Sequence, residues 1–152
     1  PEDLFVAWRD SDIAGVLGAW DQSDFKQEIV ADTGPRLRRL RPAYDLLARA
    51  IGARRLPRPG QPVRTAFGAL RCTTDDDPDV LAALLRAARQ RARDQGQGFL
   101  LVGFDRREPL LRAQRRSLAV RYESDVFLGR FPGDEPAPPL DGRPVHVEVG
   151  TL

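Results

Sequence analysis

The segment from Val63 to Arg116 constrains the fold most, because strand-like and helix-like patterns alternate along it. Residues 63–73 are rich in branched and aromatic side chains, a composition typical of a strand. A helix is predicted next, with Asp77 as its N-cap, Pro78 at its first position and Gly96 just beyond its end. Apolar residues recur there at helical spacing, namely Val80, Leu81, Leu84, Leu85, Ala88 and Ala92.

A second strand and a second helix are predicted to follow. The continuous apolar run FLLVGF, residues 99–104, is typical of a strand buried on both faces. Asp105 is expected to cap a short helix over roughly 107–116, with Pro109 in its first turn. A strand, helix and strand in this order predict a parallel pair with a right-handed crossover.

The carboxyl-terminal part predicts two further strands. Residues 121–131 and 143–152 alternate apolar and polar side chains, and we expect them to pair antiparallel at one edge of the sheet. Between them, the proline-rich loop 132–142 cannot pair in a sheet.

Composition limits the classes of protein to consider. The 152 residues suffice for one domain with a substantial core, and the single cysteine fits a reducing cytoplasm. No apolar run approaches the roughly 20 residues of a membrane span. The net charge is +2, and every positively charged residue except Lys26 is an arginine. Together with abundant alanine, proline and glycine, this preference indicates a GC-rich, bacterial-type genome more than nucleic-acid binding. Because the chain has no methionine and opens at Pro1, we expect it to be part of a longer protein.

The order of elements around AALLRAARQRARDQGQGFLLVGFD resembles the cofactor-binding half of the GNAT superfamily of N-acetyltransferases. Residues 4–20, LFVAWRDSDIAGVLGAW, look like the central hairpin of that family. The resemblance covers most of the chain as a pattern of elements. Members begin with a strand and two helices, so a further part, or a partner domain, is expected before Pro1. The expected fold is α/β (α+β), with a mixed, mostly antiparallel sheet, one parallel crossover and flanking helices.

The chain departs from this family at two places. Family members hold the pyrophosphate of acetyl-CoA on a glycine-containing loop, whereas residues 73–79, TTDDDPD, contain no glycine. Asp77 is expected to occupy the N–H groups that would otherwise attract an anion. Either the cofactor binds differently here, or the domain does not bind it. Many members also carry a catalytic tyrosine where Arg115 stands in this chain.

An arginine-rich insert over residues 21–62 separates the hairpin from the crossover. A helix is predicted from Pro35 to Ile51, which Pro42 should kink or split. Its apolar face would carry Leu37, Leu40, Tyr44 and Leu47 as well as Ile51. The arginines allow three interpretations: a solvated helix face, a site for acidic partners or CoA phosphates, or a contact with membranes or nucleic acid.

Few side chains offer chemistry. His146 and Glu148 should share one face of the last strand, where they could relay a proton or simply be solvated. Cys72 could be a nucleophile or a small buried residue. The residues after the hairpin could line a substrate pocket or cap the insert helix; they are Trp20, Asp21, Gln22 and Lys26.

The resemblance therefore predicts transfer of an acyl group from acetyl-CoA or another acyl-CoA to a small-molecule or peptide amine, without a metal. Backbone N–H groups near Leu70, Arg71 and Cys72 would hold the thioester oxygen, and Thr73 and Thr74 would continue the cofactor-binding segment. His146 and Glu148 would handle the proton. The alternative is a catalytically degenerate module that serves protein interaction or regulation.

Overall fold

The computed structural model describes residues 3–50, 52, 55–117, 119, 121–127, 133, 142–144, 146, 148 and 149. Within these residues, helices and strands combine into an α+β fold. Its main sheet has four strands, in the order β1 (Leu4–Arg9), β2 (Asp12–Asp21), β5 (Thr65–Thr73) and β6 (Phe99–Leu101). Two of its three strand pairs are antiparallel and the third is parallel. The predicted fold class, a mixed and mostly antiparallel sheet with one parallel crossover, is confirmed.

The expected hairpin consists of β1, Leu4–Arg9, and β2, Asp12–Asp21. Asp10 and Ser11 connect the strands with φ values of 53° and 95°. Positive φ at both central positions is the signature of the two-residue type I′ turn, whose twist matches that of the flanking strands.

The crossover unit consists of β5, Thr65–Thr73, helix α2, Pro78–Asp94, and β6, Phe99–Leu101. Beyond α2, Gly96 takes a φ of 81°, as expected of a glycine just past a helix end. The parallel pairing is short, since only Thr65 to Phe67 align with Phe99 to Leu101. Residues 68–73 of β5 lie beyond this pairing.

Helix α2 supplies most of the core. It packs across β1, β2, β5 and β6, and seven of its residues are buried, including Leu81 and Ala88. The contact with β2 is close: a Cβ added at Gly15 would lie 2.9 Å from Val80 Cγ1. Gly15 therefore sets the distance between the helix and the sheet.

The insert folds into two short paired strands and one helix. The strands are β3, Glu28–Ile29, and β4, Pro62–Val63, and the helix is α1, Pro35–Ala50. Pro42 lies inside this helix without splitting it. The predicted apolar face is largely uncovered, because only Ala48 is buried among the residues of α1, while its leucines at 37, 40, 46 and 47 are exposed.

Three predictions about local structure need correction. The strand predicted over 99–104 ends at Leu101 and is only half-buried. The second short helix is a 3-10 helix, Pro109–Arg116, with Glu108 at its N-cap. Asp105 instead accepts a hydrogen bond from the backbone N–H of Arg107. Residues 121–127 are exposed and form no strand. The rest of the first predicted carboxyl-terminal strand, residues 128–131, lies outside the described residues. So do half of the second, residues 143–152, and Ile51 of the insert.

Candidate functional site at the β5 bulge

A β-bulge interrupts β5 at Leu70. Gly18 of β2 pairs with Ala69, and Val16 pairs with Cys72, so Leu17 alone faces Leu70 and Arg71. Leu70 takes a φ of 51°, a conformation that a branched, non-glycine residue rarely adopts. Such strained positions persist only where the surrounding structure holds them, and they concentrate at functional sites.

The bulge directs the Leu70 N–H away from the β2 ladder and toward a carboxylate. Glu148 Oε2 accepts this N–H at 2.8 Å, and the same oxygen lies 3.7 Å from His146 Nε2. The predicted His146 and Glu148 pair is therefore within interaction range, and it lies at the backbone donor that sequence analysis assigned to thioester binding. Neither of the two residues lies in a strand.

Arg71 lies in β5, four residues past Phe67, the last residue of the strand that pairs with β6. It is 7% exposed, and its guanidinium forms a two-pronged ion pair with the carboxylate of Glu108. The guanidinium carbon also lies 4.5 Å from the centre of the Phe104 ring. A buried cation needs such partners, because unpaired burial of charge is costly. Arg71 therefore joins β5 to the segment that follows β6.

The other predicted cofactor-binding residues lie further along β5 or, in the case of Thr74, just beyond its end. Cys72 is exposed, so the expectation of a small buried residue is wrong. Thr73 is buried, and its hydroxyl oxygen has no hydrogen-bond partner among the described residues. The Thr74 hydroxyl donates to the Ile13 carbonyl at 3.4 Å. The structure thus brings Leu70 together with His146 and Glu148, and does not bring Cys72, Thr73 or Thr74 to them.

The amino terminus of α2 is closed by its cap, as predicted. Asp77 Oδ1 accepts the N–H groups of Asp79 and Val80, and Asp77 Oδ2 accepts from Arg9 Nη2 at 2.7 Å. The Arg9 guanidinium and these two N–H groups hold the pKa of Asp77 below its usual value. The donors that would attract a phosphate at this helix end are already used.

The residues that follow the hairpin lie at the other end of the sheet, because Asp21 pairs with Ala66 at the start of β5. Gln22 is buried, and Lys26 Nζ lies 5.1 Å from the centre of the Phe67 ring. Partial burial raises the pKa of Asp21, but hydrogen bonds from Ser23 and the charge of Arg64 lower it by more. The pKa therefore lies below its usual value. These residues contact the sheet rather than the bulge.

Neither Glu108 nor Phe104, the two partners of Arg71, was predicted from the sequence. Thirty-seven positions separate Arg71 from Glu108, and no local motif links them. The available signal was topological: Arg71 lies in β5 beyond its pairing with β6, and Glu108 follows the carboxyl end of β6, a region where residues from distant segments meet.

Comparison with protein-family models, with curated proteins and with solved structures finds no match. Among the described residues, no group of three or more histidine, cysteine or acidic side chains is arranged to hold a metal ion. The described helices are also too short or too polar to cross a membrane.

Proposed function

We propose that this chain carries an N-acyltransferase site at the β5 bulge, where an acyl group passes from an acyl-CoA thioester to an amine. The observation that supports it is the meeting of three groups at one point: the Leu70 N–H, the Glu148 carboxylate and the His146 imidazole. Aminolysis of a thioester needs a donor for the carbonyl oxygen and an acceptor for the amine proton.

The proposed reaction uses these groups in turn. The carbonyl oxygen of the bound thioester first replaces Glu148 as the acceptor of the Leu70 N–H. The amine nitrogen then attacks the thioester carbon, and the Leu70 N–H stabilises the negative charge that the carbonyl oxygen gains. Glu148, released from Leu70, takes the amine proton directly or through His146. The tetrahedral intermediate then collapses, the C–S bond breaks, and the CoA thiolate leaves and is protonated by the same pair.

A second candidate, a catalytically degenerate module for protein interaction or regulation, is favoured by two other observations. The Arg71 and Glu108 ion pair lies next to the bulge and joins β5 to the segment after β6, and the resemblance would put the thioester between these two strands. Asp77 also occupies the helix N–H groups that the family uses for pyrophosphate. Under this proposal the same residues stabilise the fold and bind no acyl-CoA.

Calorimetric titration of acetyl-CoA into the chain separates the two candidates. Binding in the micromolar range supports the enzyme and justifies a screen of amines that follows release of the CoA thiol. Absence of binding, in a sample whose circular dichroism shows it to be folded, overturns the acyltransferase proposal and leaves the module.

A variant pair then tests the residues. In an active preparation, Glu148→Gln should lower kcat by about 10²-fold or more, since a positioned general base contributes roughly that factor. Glu123→Gln is the matched control, because Glu123 is exposed and its ion pair within the described part of the chain is with Arg121. Equal rates for the two variants would remove Glu148 from the mechanism.

A further inference from the structure

The arginines of the insert enclose a second candidate site, far from the bulge. A cavity of about 470 Å³ lies between α1, the 55–64 segment and the start of β6. Its lining includes four arginines and a single carboxylate, namely Arg41, Arg55, Arg58, Arg64 and Asp45. Leu70 is six residues further along the chain than Arg64, about 20 Å at the usual strand rise, so the two sites are distinct.

One of these arginines is fixed by the protein itself. Arg41 Nη2 donates to the carbonyl of Leu56, and Arg41 Nε lies 3.7 Å from Asp45 Oδ2. These contacts tie α1 to the segment opposite it. Arg41 therefore builds the wall of the cavity. The carboxylate in the described lining, Asp45, has one oxygen beside Arg41 and the other buried without a hydrogen-bond partner among the described residues.

The other three arginines leave the cavity strongly positive. Within the described part of the chain, the guanidinium groups of Arg55 and Arg58 form no ion pair. Arg64 acts on Asp21 only through its charge, which lowers the pKa of that carboxyl group. Arginine presents donors in a planar fork that matches the oxygens of a phosphate group.

The apolar part of the cavity lining favours an anion that carries an organic group. Apolar side chains complete the lining beside the arginines, among them Leu56, Pro57 and Phe99. A second cavity of about 480 Å³ adjoins this one and shares Arg41, Asp45 and Arg58 with it. Arg58 thus lies where the two cavities meet, which suits a ligand with more than one phosphate.

We propose that this arginine-lined cavity binds the phosphate or diphosphate group of a small organic molecule. Arg55, Arg58 and Arg64 hold the phosphate oxygens, and the apolar wall contacts the organic part. Binding here does not require the acyltransferase activity proposed above, and either proposal can fail without the other.

The test is titration of inorganic pyrophosphate into the whole chain, followed by calorimetry at low ionic strength. We expect one site with a dissociation constant below about 1 mM. Arg55→Gln combined with Arg58→Gln should weaken binding by about 10-fold or more, since charge-assisted hydrogen bonds are among the strong ones. The matched control combines Arg36→Gln with Arg39→Gln, which removes the same charge from exposed positions of α1 outside the cavity.

Three outcomes would overturn the proposal. They are no detectable binding of pyrophosphate, equal weakening by both pairs of substitutions, or binding to many weak sites that single-stranded DNA displaces. The last two describe a diffuse basic surface instead of a site. Circular dichroism melting of each variant establishes that it is folded, so a loss of binding cannot be confused with unfolding.

Discussion

Helices α1 and α2 are similar in length and in amphipathic pattern, yet they differ in what they contact. Both carry apolar residues at helical spacing on one face and arginines on the other. α2 buries seven residues against the four-stranded sheet. α1 buries one residue, and its leucines lie at the surface. Helical periodicity therefore predicts both helices, but it does not say which one has a partner to pack against.

The difference follows from how the chain connects each helix to the sheet. Asp77 begins α2 directly after β5 and Gly96 ends it directly before β6, so the helix must cross the sheet. α1 is instead joined to the small β3 and β4 pair, which is separate from the main sheet. Stability should depend strongly on α2 and weakly on α1.

The largest expected effect is at Leu81, which has no exposed surface. Leu81→Ala should lower the free energy of unfolding by about 2 to 5 kcal/mol, because it removes buried methyl groups and leaves a cavity. Urea denaturation followed by circular dichroism measures the change. A loss under about 1 kcal/mol would mean that α2 is not the principal core helix.

A smaller loss is expected where α2 approaches β2. Gly15→Val should destabilise the protein by about 1 to 3 kcal/mol, because the added side chain meets Val80. Combining it with Val80→Ala should restore part of the loss. Gly34→Val is the control, since no atom lies within 4 Å of a Cβ at that position; a comparable loss there would contradict the argument from close packing.

A pH-dependent effect is expected at the start of α2. The folded protein lowers the pKa of Asp77 below its ordinary value of 3.8, so the charged carboxylate contributes stability that is fully present above that value. As the pH falls below 3.8, through the lower folded pKa, the contribution disappears. The difference in urea midpoint between the natural protein and Asp77→Asn should therefore be constant from pH 5 to 7 and shrink toward pH 2.

The exposed turn residue Asp24 provides the comparison for Asp77. Asp24→Asn removes one carboxylate of the same type without a capping role. If its stability difference from the natural protein showed the same pH dependence, the effect would reflect net charge and not the cap.

The smallest expected effect is on α1. Leu47 is 57% exposed, so Leu47→Ala should change the free energy of unfolding by no more than about 0.5 kcal/mol. The measurement is the same urea denaturation as for Leu81→Ala, which makes the two leucines a matched pair. A loss above 1 kcal/mol would show that the leucine face of α1 is covered in solution.

Local signals in the sequence predicted much of this fold, but they could not predict contacts between residues far apart in the chain. Asp77, Pro78 and Gly96 mark the ends of α2 correctly, because caps act within a few residues. The end of β6 at Leu101 was missed, since an apolar run does not reveal where strand pairing stops.

The candidate site was predicted in pieces. The region around Leu70 was predicted to bind a carbonyl oxygen, and His146 and Glu148 were predicted to relay a proton, but no sequence pattern placed one beside the other. The Arg71 and Glu108 contact was not predicted at all, because it joins β5 to the segment after β6 across 37 positions. Such contacts follow from tertiary geometry and not from composition or periodicity.

The bulge at Leu70 is separable from the packing around it. Gly68, which pairs with the core residue Ala19, lies on the core face of the sheet, where an added Cβ would be 2.9 Å from a methyl group of Val102. Thr73 lies on the same face, because a Cβ added at Gly15 would be 3.0 Å from its methyl group and 2.9 Å from Val80 Cγ1. If Leu70 is skipped, residues 68, 69, 71, 72 and 73 alternate inward and outward without interruption. Excision of this one codon would thus leave every neighbouring side chain on its present face and straighten the strand. The Leu70 side chain is exposed and takes no part in the core. Its removal would eliminate only the positive-φ backbone conformation and the N–H that this conformation directs to Glu148.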